Sequence, residues 1–261
     1  MTTIVKRGPW TIWKDVIFAL FAREIRTGFN DKFGIGWAVL SPIVFISILS
    51  YMRSQISGAE VHGVPTFVFM AFGILLVQSF LLTLEKSAAA ISKSKALFAF
   101  RQVQPISAVI AVGLFELLTK IFVLLGIVVI MFLVDMDIQL KDPLLFIVCF
   151  LLLWICAMAI GLIFGITEMF IPEIAKLRAL ASRPLFFLSA VFFSLQDIPE
   201  EYWYLLDWNP ILHGIELSRY AAYPSYGNAG VSLSFLLSVT FVSLFLALVV
   251  YQRFWQQAIS R

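Results

Sequence analysis

The chain has 261 residues, of which 61% are hydrophobic and 13% charged, with a mean hydropathy of +0.95 and a net charge of +3. Soluble domains carry about 25% charged residues, so this composition excludes a soluble globular protein and predicts a polytopic membrane protein. At about 20 residues per span the length admits about six spans with short loops, and no large extramembrane domain.

Lys6, Arg7, Lys14, Arg23 and Arg26 crowd the N-terminal segment, which lacks an early apolar stretch ending in a small-residue cleavage site. No cleavable signal peptide is expected. Within residues 10–30, Trp10, Trp13, Ile17, Leu20 and Phe21 fall near one helical face, and Lys14, Asp15, Arg23 and Glu24 lie largely off it. That pattern predicts a helix lying in the membrane interface.

Spans are predicted at 35–52, 65–84, 106–134, 144–166, 180–195 and 231–251. Pro42 kinks or locally unwinds the first, and Arg53 closes it. A turn over Gly58 to Gly63 leads to the second. Between the second and third stands a basic island, Glu85 to Pro105, with Lys86, Lys93, Lys95 and Arg101. Two readings stand for it: a short amphipathic helix over Ser87 to Phe100 on which a partner acts, or a solvated loop whose charges fix topology. The fifth segment begins with Arg183 and Pro184 and is short, so it either extends into the preceding polar loop or enters at an angle. The polar stretch 196–230 carries Tyr202, Trp203, Tyr204, Trp208, Tyr220, Tyr223 and Tyr226. It predicts one or two short helices resting on the outer interface, broken at Asn209-Pro210.

Charge placement sets the orientation. If the N-terminus, the island, the 168–183 loop and the tail face the cytoplasm, they hold 15 of the 19 lysines and arginines. An even number of spans with both termini inside satisfies the positive-inside bias.

Chemistry-bearing motifs are sparse. No G-x-x-x-x-G-K-[ST] loop occurs, so ATP, if used, is hydrolysed on another chain. No metalloprotease, nucleophile-elbow or Cys/His metal spacing is present, and Cys149 and Cys156 fall inside an apolar run as small core residues. Glu116 and Lys120 sit four residues apart within the third span and share a face. Such a pair is either a functional site or a tie between spans. Ala157, Gly161 and Gly165 form a small-residue stripe for close helix packing, within the chain or across a dimer seam. The outer aromatics stack on sugar rings or form the usual interfacial belt. Arg23, Arg26 and Lys32 meet a phosphate-bearing headgroup or act only as positive-inside anchors.

Arg23-Glu24-Ile25-Arg26-Thr27, then Lys32-Phe33-Gly34 and Gly36-Trp37-Ala38 to Pro42, resemble the approach to the first span of ABC-2 type permeases, specifically the capsular polysaccharide exporters. Leu97 to Arg101 with Val103 and Pro105 is similar to that family's loop after the second span. Pro172-Glu173 with Lys176, Ile198-Pro199 with Tyr202-Trp203, and Asn209-Pro210 with His213, Glu216 to Arg219 and Pro224 resemble its later motifs. Phe29-Asn30-Asp31 departs from the pattern.

The resemblance implies an all-α membrane fold of six transmembrane helices, with an N-terminal interface helix and short periplasmic gate helices before the last span. It implies a homodimer with two cytoplasmic ABC ATPase subunits in a Gram-negative inner membrane, moving lipid-linked capsular polysaccharide toward a periplasmic adaptor and an outer-membrane export protein. No cofactor is expected on this chain, ATP and magnesium belonging to the ATPase, and no nucleic acid partner. Ser87, Lys93, Lys95, Phe98 and Arg101 would couple to the ATPase. Arg23, Arg26 and Lys32 would admit substrate, and Tyr202, Trp203, Trp208, Tyr220 and Tyr223 would line the canal or gate. O-antigen or teichoic acid are alternative cargoes. A membrane-embedded enzyme acting on lipid-linked sugars is the alternative from another class, with His213 and Glu216 as its only nucleus. An ion-coupled carrier using Glu116 and Lys120 is a third, for which no inverted repeat is evident.

Overall fold

The computed structural model describes residues 8–28, 34–136 and 139–260. Eight helices dominate it: α1 (Pro9–Gly28), α2 (Gly34–Ser57), α3 (Thr66–Lys93), α4 (Pro105–Leu133), α5 (Pro143–Glu168), α6 (Ile174–Leu188), α7 (Pro210–Ala222) and α8 (Leu233–Ser260). Local chemistry explains several starts. Pro105, Pro143 and Pro210 occupy the first turn, where a missing N–H costs nothing, and Asp142 and Asn209 each cap the following amides with a side-chain oxygen at 3.0 Å.

Among the described residues, five helices are long and apolar enough to cross a membrane: α2, α3, α4, α5 and α8. The expected span at 180–195 takes another form. Helix α6 starts six residues earlier, has 15 residues and ends at Leu188, after which Ala190 adopts φ 58° and the chain runs irregularly to Ser194. Fifteen residues rise about 22 Å, short of a hydrocarbon core of about 30 Å. Pro42 lies within α2, which continues as one helix.

Helix α3 is the hub. In its most apolar stretch 72% of residues are buried, against 17% for α2 and for α8. It packs on α5 and α4, and more lightly on α2 and α7; α8 lies along α5, and α1 lies on α4. Close approach of α3 and α5 depends on Gly161 and Gly165, whose missing side chains would otherwise meet Leu84, Ser87 and Ala88. The small-residue stripe therefore serves packing within the chain.

Two further corrections concern the polar segments. Helix α3 does not stop at Leu84 but continues through Glu85 and Lys86 to Lys93, absorbing half of the basic island. Helix α7 does not rest on the outer surface. Every residue from Ile211 to Arg219 is buried, and Gly214 packs against Leu153, ten residues into α5, which is about 15 Å along that helix. The turn before α3 is a small hairpin, with Val61 opposite Val64 and a two-residue loop in which His62 and Gly63 take positive φ.

Candidate functional site

An open-sided groove of about 770 Å³ runs between α2, α3, α4 and α6. Its apolar walls include Trp37, Pro42, Phe45, Leu81, Phe186 and Phe187, and its polar groups include Gln78, Glu85, Lys86, Glu116, Thr119, Lys120 and Arg183. Glu116 and Lys120 both reach this groove, but they are not each other's ion pair. The carboxylate of Glu116, 1% exposed, binds the ammonium of Lys86 from α3. The extension of α3 is what allows this pairing: Lys86, expected in a surface loop, stands on that helix beside Glu116 with its own side chain still exposed. Lys86 also lies over the ring of Phe115.

A second cavity of about 240 Å³ opens below, between the C-terminal part of α1, the end of α3, and α4. Lys86 borders both cavities. Arg23 lines the lower one, pairs with Glu24 at 2.6 Å and donates to Ser94 Oγ at 3.2 Å. Arg26 is exposed at the end of α1, and Lys32 lies outside the described residues.

The residues expected to couple separate into two groups. Lys93, Lys95 and Arg101 are exposed at the end of α3 and on the short 3₁₀ turn Lys95–Ala99 and its exit. Phe98 points inward, joining Leu20 of α1 and Ala108 and Val109 of α4 in one apolar cluster. Ser87 is fully buried in the interior of α3 facing Gly161, so it offers nothing to a partner at the surface. No amphipathic surface helix runs from Ser87 to Phe100; helix α3 and the turn divide that stretch.

The end of the bundle where α3 begins is organised around Arg219, named in the sequence only as part of a later motif. It is completely buried. Its guanidinium donates to Glu216 Oε1 at 2.8 Å, to the Phe69 carbonyl at 3.0 Å, to the Val191 carbonyl at 3.2 Å and to the Phe193 carbonyl at 3.4 Å. The Tyr226 hydroxyl donates to the Glu216 carboxylate at 2.9 Å and lies 2.7 Å from Ser194 Oγ. Arg53 of α2 adds a hydrogen bond to the Phe192 carbonyl. Both guanidiniums lie over the ring of Phe69, Arg219 at 3.4 Å and Arg53 at 5.2 Å. Two arginines thus hold the irregular residues 191–193 by three consecutive carbonyls, supplying donors that no helix or sheet provides there.

Just beyond, Asp197 accepts from the Ser194 amide at 2.8 Å and contacts His62 at 2.7 Å, tying the hairpin to the segment after α6. Burial alone would raise its carboxyl, but the Ser194 amide, His62 and Arg53 together hold it below the usual carboxylate range.

Among the expected gate aromatics, Tyr202 and Trp208 are exposed, and Trp208 donates to the Leu205 carbonyl at 2.7 Å. Trp203 is half-buried, donating to the Ile198 carbonyl at 2.8 Å, and its ring lies where any side chain at residue 230 would project. Tyr220 is half-buried and Tyr223 buried. His213 and Glu216 do not form a couple. His213 uses Nε2 on the Asp207 carbonyl and Nδ1 on the Ser232 amide, while Glu216 is held by Arg219 and Tyr226. The nucleus of the transferase alternative is therefore not assembled.

Residues 15–223 match the ABC-2 type transporter family. The chain belongs to that family. It is a multi-pass membrane subunit of an ABC transporter rather than an enzyme. It is 35% identical over 248 residues to a polysialic acid transport protein, KpsM, of Escherichia coli, covering 94% of this chain and 96% of that one. It is 22% identical over 240 residues to the capsule polysaccharide export inner-membrane protein BexB of Haemophilus influenzae, covering 92% and 91%. The matched region takes in the groove, the lower cavity and Arg219 of the outer clamp.

Proposed function

We propose that this chain is the permease of an exporter for lipid-linked capsular polysaccharide in the inner membrane of a Gram-negative bacterium. The observation that carries the reading is the groove: a set of charged and polar groups in an otherwise apolar bundle, with Lys86 also bordering a basic cavity on the α1 side. The capsule and polysialic acid relatives supply the cargo class.

The groove is open along one side, where Trp37 of α2 is 65% exposed and Phe187 of α6 61% exposed. One bundle does not enclose a hydrated chain, and a second copy facing this side would turn two grooves into one canal. Helix α6 with the irregular residues 189–194 would provide the sixth crossing and keep both termini in the cytoplasm. The segment from 195 to 226, held by Arg53 and Arg219, would form the outer gate. A pair of ATPase subunits would seat on Lys93, Lys95 and Arg101, and closure of those subunits on ATP would move α3 and α4 as rigid bodies through the turn anchored by Phe98. Cargo would pass on to an adaptor and an outer-membrane export protein.

The deciding experiment compares surface and intracellular glycan in a strain lacking this chain. Loss from the surface with lipid-linked glycan accumulating inside is expected. Loss from both compartments would indicate a biosynthetic role, and normal surface glycan would overturn the assignment.

A further inference from the structure

We infer that the groove contains a binding site for one anionic group, centred on Lys120 and completed by Arg183. The inference rests on the permease reading and adds to it the chemistry of what the groove holds. Lys120 lies 15 residues into α4, about 22 Å from its start, and is 2% exposed. Among the described residues no carboxylate lies within ion-pairing distance of it. Glu116, the acid one turn away, is engaged by Lys86.

A buried ammonium whose nearest acid is shared with a second lysine is only partly compensated for its lost hydration, so its retention in the wall of a cavity points to an anion that arrives from elsewhere. Arg183 faces the same space from α6 and is exposed, hence free to turn toward a ligand. Across the groove Lys86, Lys120 and Arg183 stand against Glu85 and Glu116, an excess of one positive charge. The apolar walls reduce screening and strengthen that excess for a ligand that enters. A carboxylate or a phosphate satisfies this chemistry. The first would come from an acidic sugar in the glycan, the second from its lipid anchor.

The test is equilibrium binding to the complete transporter, this chain with its ATPase subunits, in nanodiscs of neutral lipid. Three probes are compared: a uronic acid oligosaccharide, its carboxyl-reduced neutral counterpart, and short-chain phosphatidylglycerol. At least one anionic probe should bind tenfold or more tighter than the neutral saccharide. Lys120→Gln should erase that preference, Lys120→Arg should keep most of it, and Arg183→Gln should weaken it about threefold. Preference for the acidic saccharide assigns the anion to the glycan, and preference for phosphatidylglycerol assigns it to the anchor. Arg183→Gln alters an exposed position and decides the matter if Lys120→Gln does not fold. Equal binding of acidic and neutral saccharides without lipid binding overturns the site and leaves the export reading intact. Anion binding through Lys120 together with normal surface glycan in a strain lacking this chain keeps the site and removes the export reading. No binding of any probe, or a preference unchanged in the variants, overturns the inference.

Discussion

Arg219 and Glu216, one turn apart on α7, form a 2.8 Å ion pair with neither side chain exposed by more than 3%. Removing one member leaves the other charged in a space closed to water, and Arg219 also serves three carbonyls. Arg219→Met is expected to destabilise the protein by about 3–5 kcal/mol, the usual cost of breaking such a pair. In the double variant with Glu216→Gln the loss should be smaller than the sum of the single losses. Thermal unfolding in detergent, run as a double-mutant cycle, checks both statements.

The α3–α5 seam gives a sharper steric prediction. A methyl group at Gly161 would fall 2.6 Å from Ser87 Cβ and 2.9 Å from the Leu84 carbonyl. Gly161→Ala should therefore cost about 1–3 kcal/mol by overpacking. At Gly36, where nothing lies within 4 Å, the same change should be neutral or mildly stabilising. Equal unfolding temperatures for the two variants would contradict the packing described.

At the turn after α3, seating of a partner and folding should be separable. Lys95→Glu and Arg101→Glu alter exposed charges and are expected to reduce co-purification of the ATPase several-fold at unchanged thermal stability. Phe98→Ala removes the anchor beneath the same turn and should cost about 3–5 kcal/mol of stability. If the charge reversals leave co-purification intact, the turn is not the docking point.

The contact between Asp197 and His62 carries a pH dependence. The folded state holds the Asp197 carboxyl below its ordinary value, so its contribution is present above the unfolded value, about 3.9, and fades as pH falls through the lower folded one. Asp197→Asn should flatten the acid limb of the stability profile below about pH 4 and lower stability modestly at pH 7. Unfolding midpoints measured from pH 3 to 7 give the comparison.

The long spans were legible because continuous apolar runs have no other use in so oily a chain. The end of α3 was not, since Glu85 and Lys86 resemble a span boundary when read alone. The helix carries them because both stay exposed at the open groove, where Lys86 also meets an acid on α4. The Glu116 and Lys120 spacing correctly marked a polar spot in the bundle and misnamed the partner, because helical spacing reports only neighbours on the same helix. Helix α7 misled for a related reason. His213, Glu216 and Arg219 look like surface residues one at a time, yet each is satisfied in part by a group off its own helix, from Asp207, Ser232 and Tyr226 to the carbonyls of Phe69 and Val191. Such partners become visible only when the chain has folded.

Arg53 and Arg219 grasp residues 191–193 by main-chain oxygens, an atom that every amino acid carries. The joint is therefore indifferent to the lettering of the loop it holds. Side chains in that stretch can drift in size and polarity while the grip persists, so the loop's surface can be recast without its anchorage having to be reinvented.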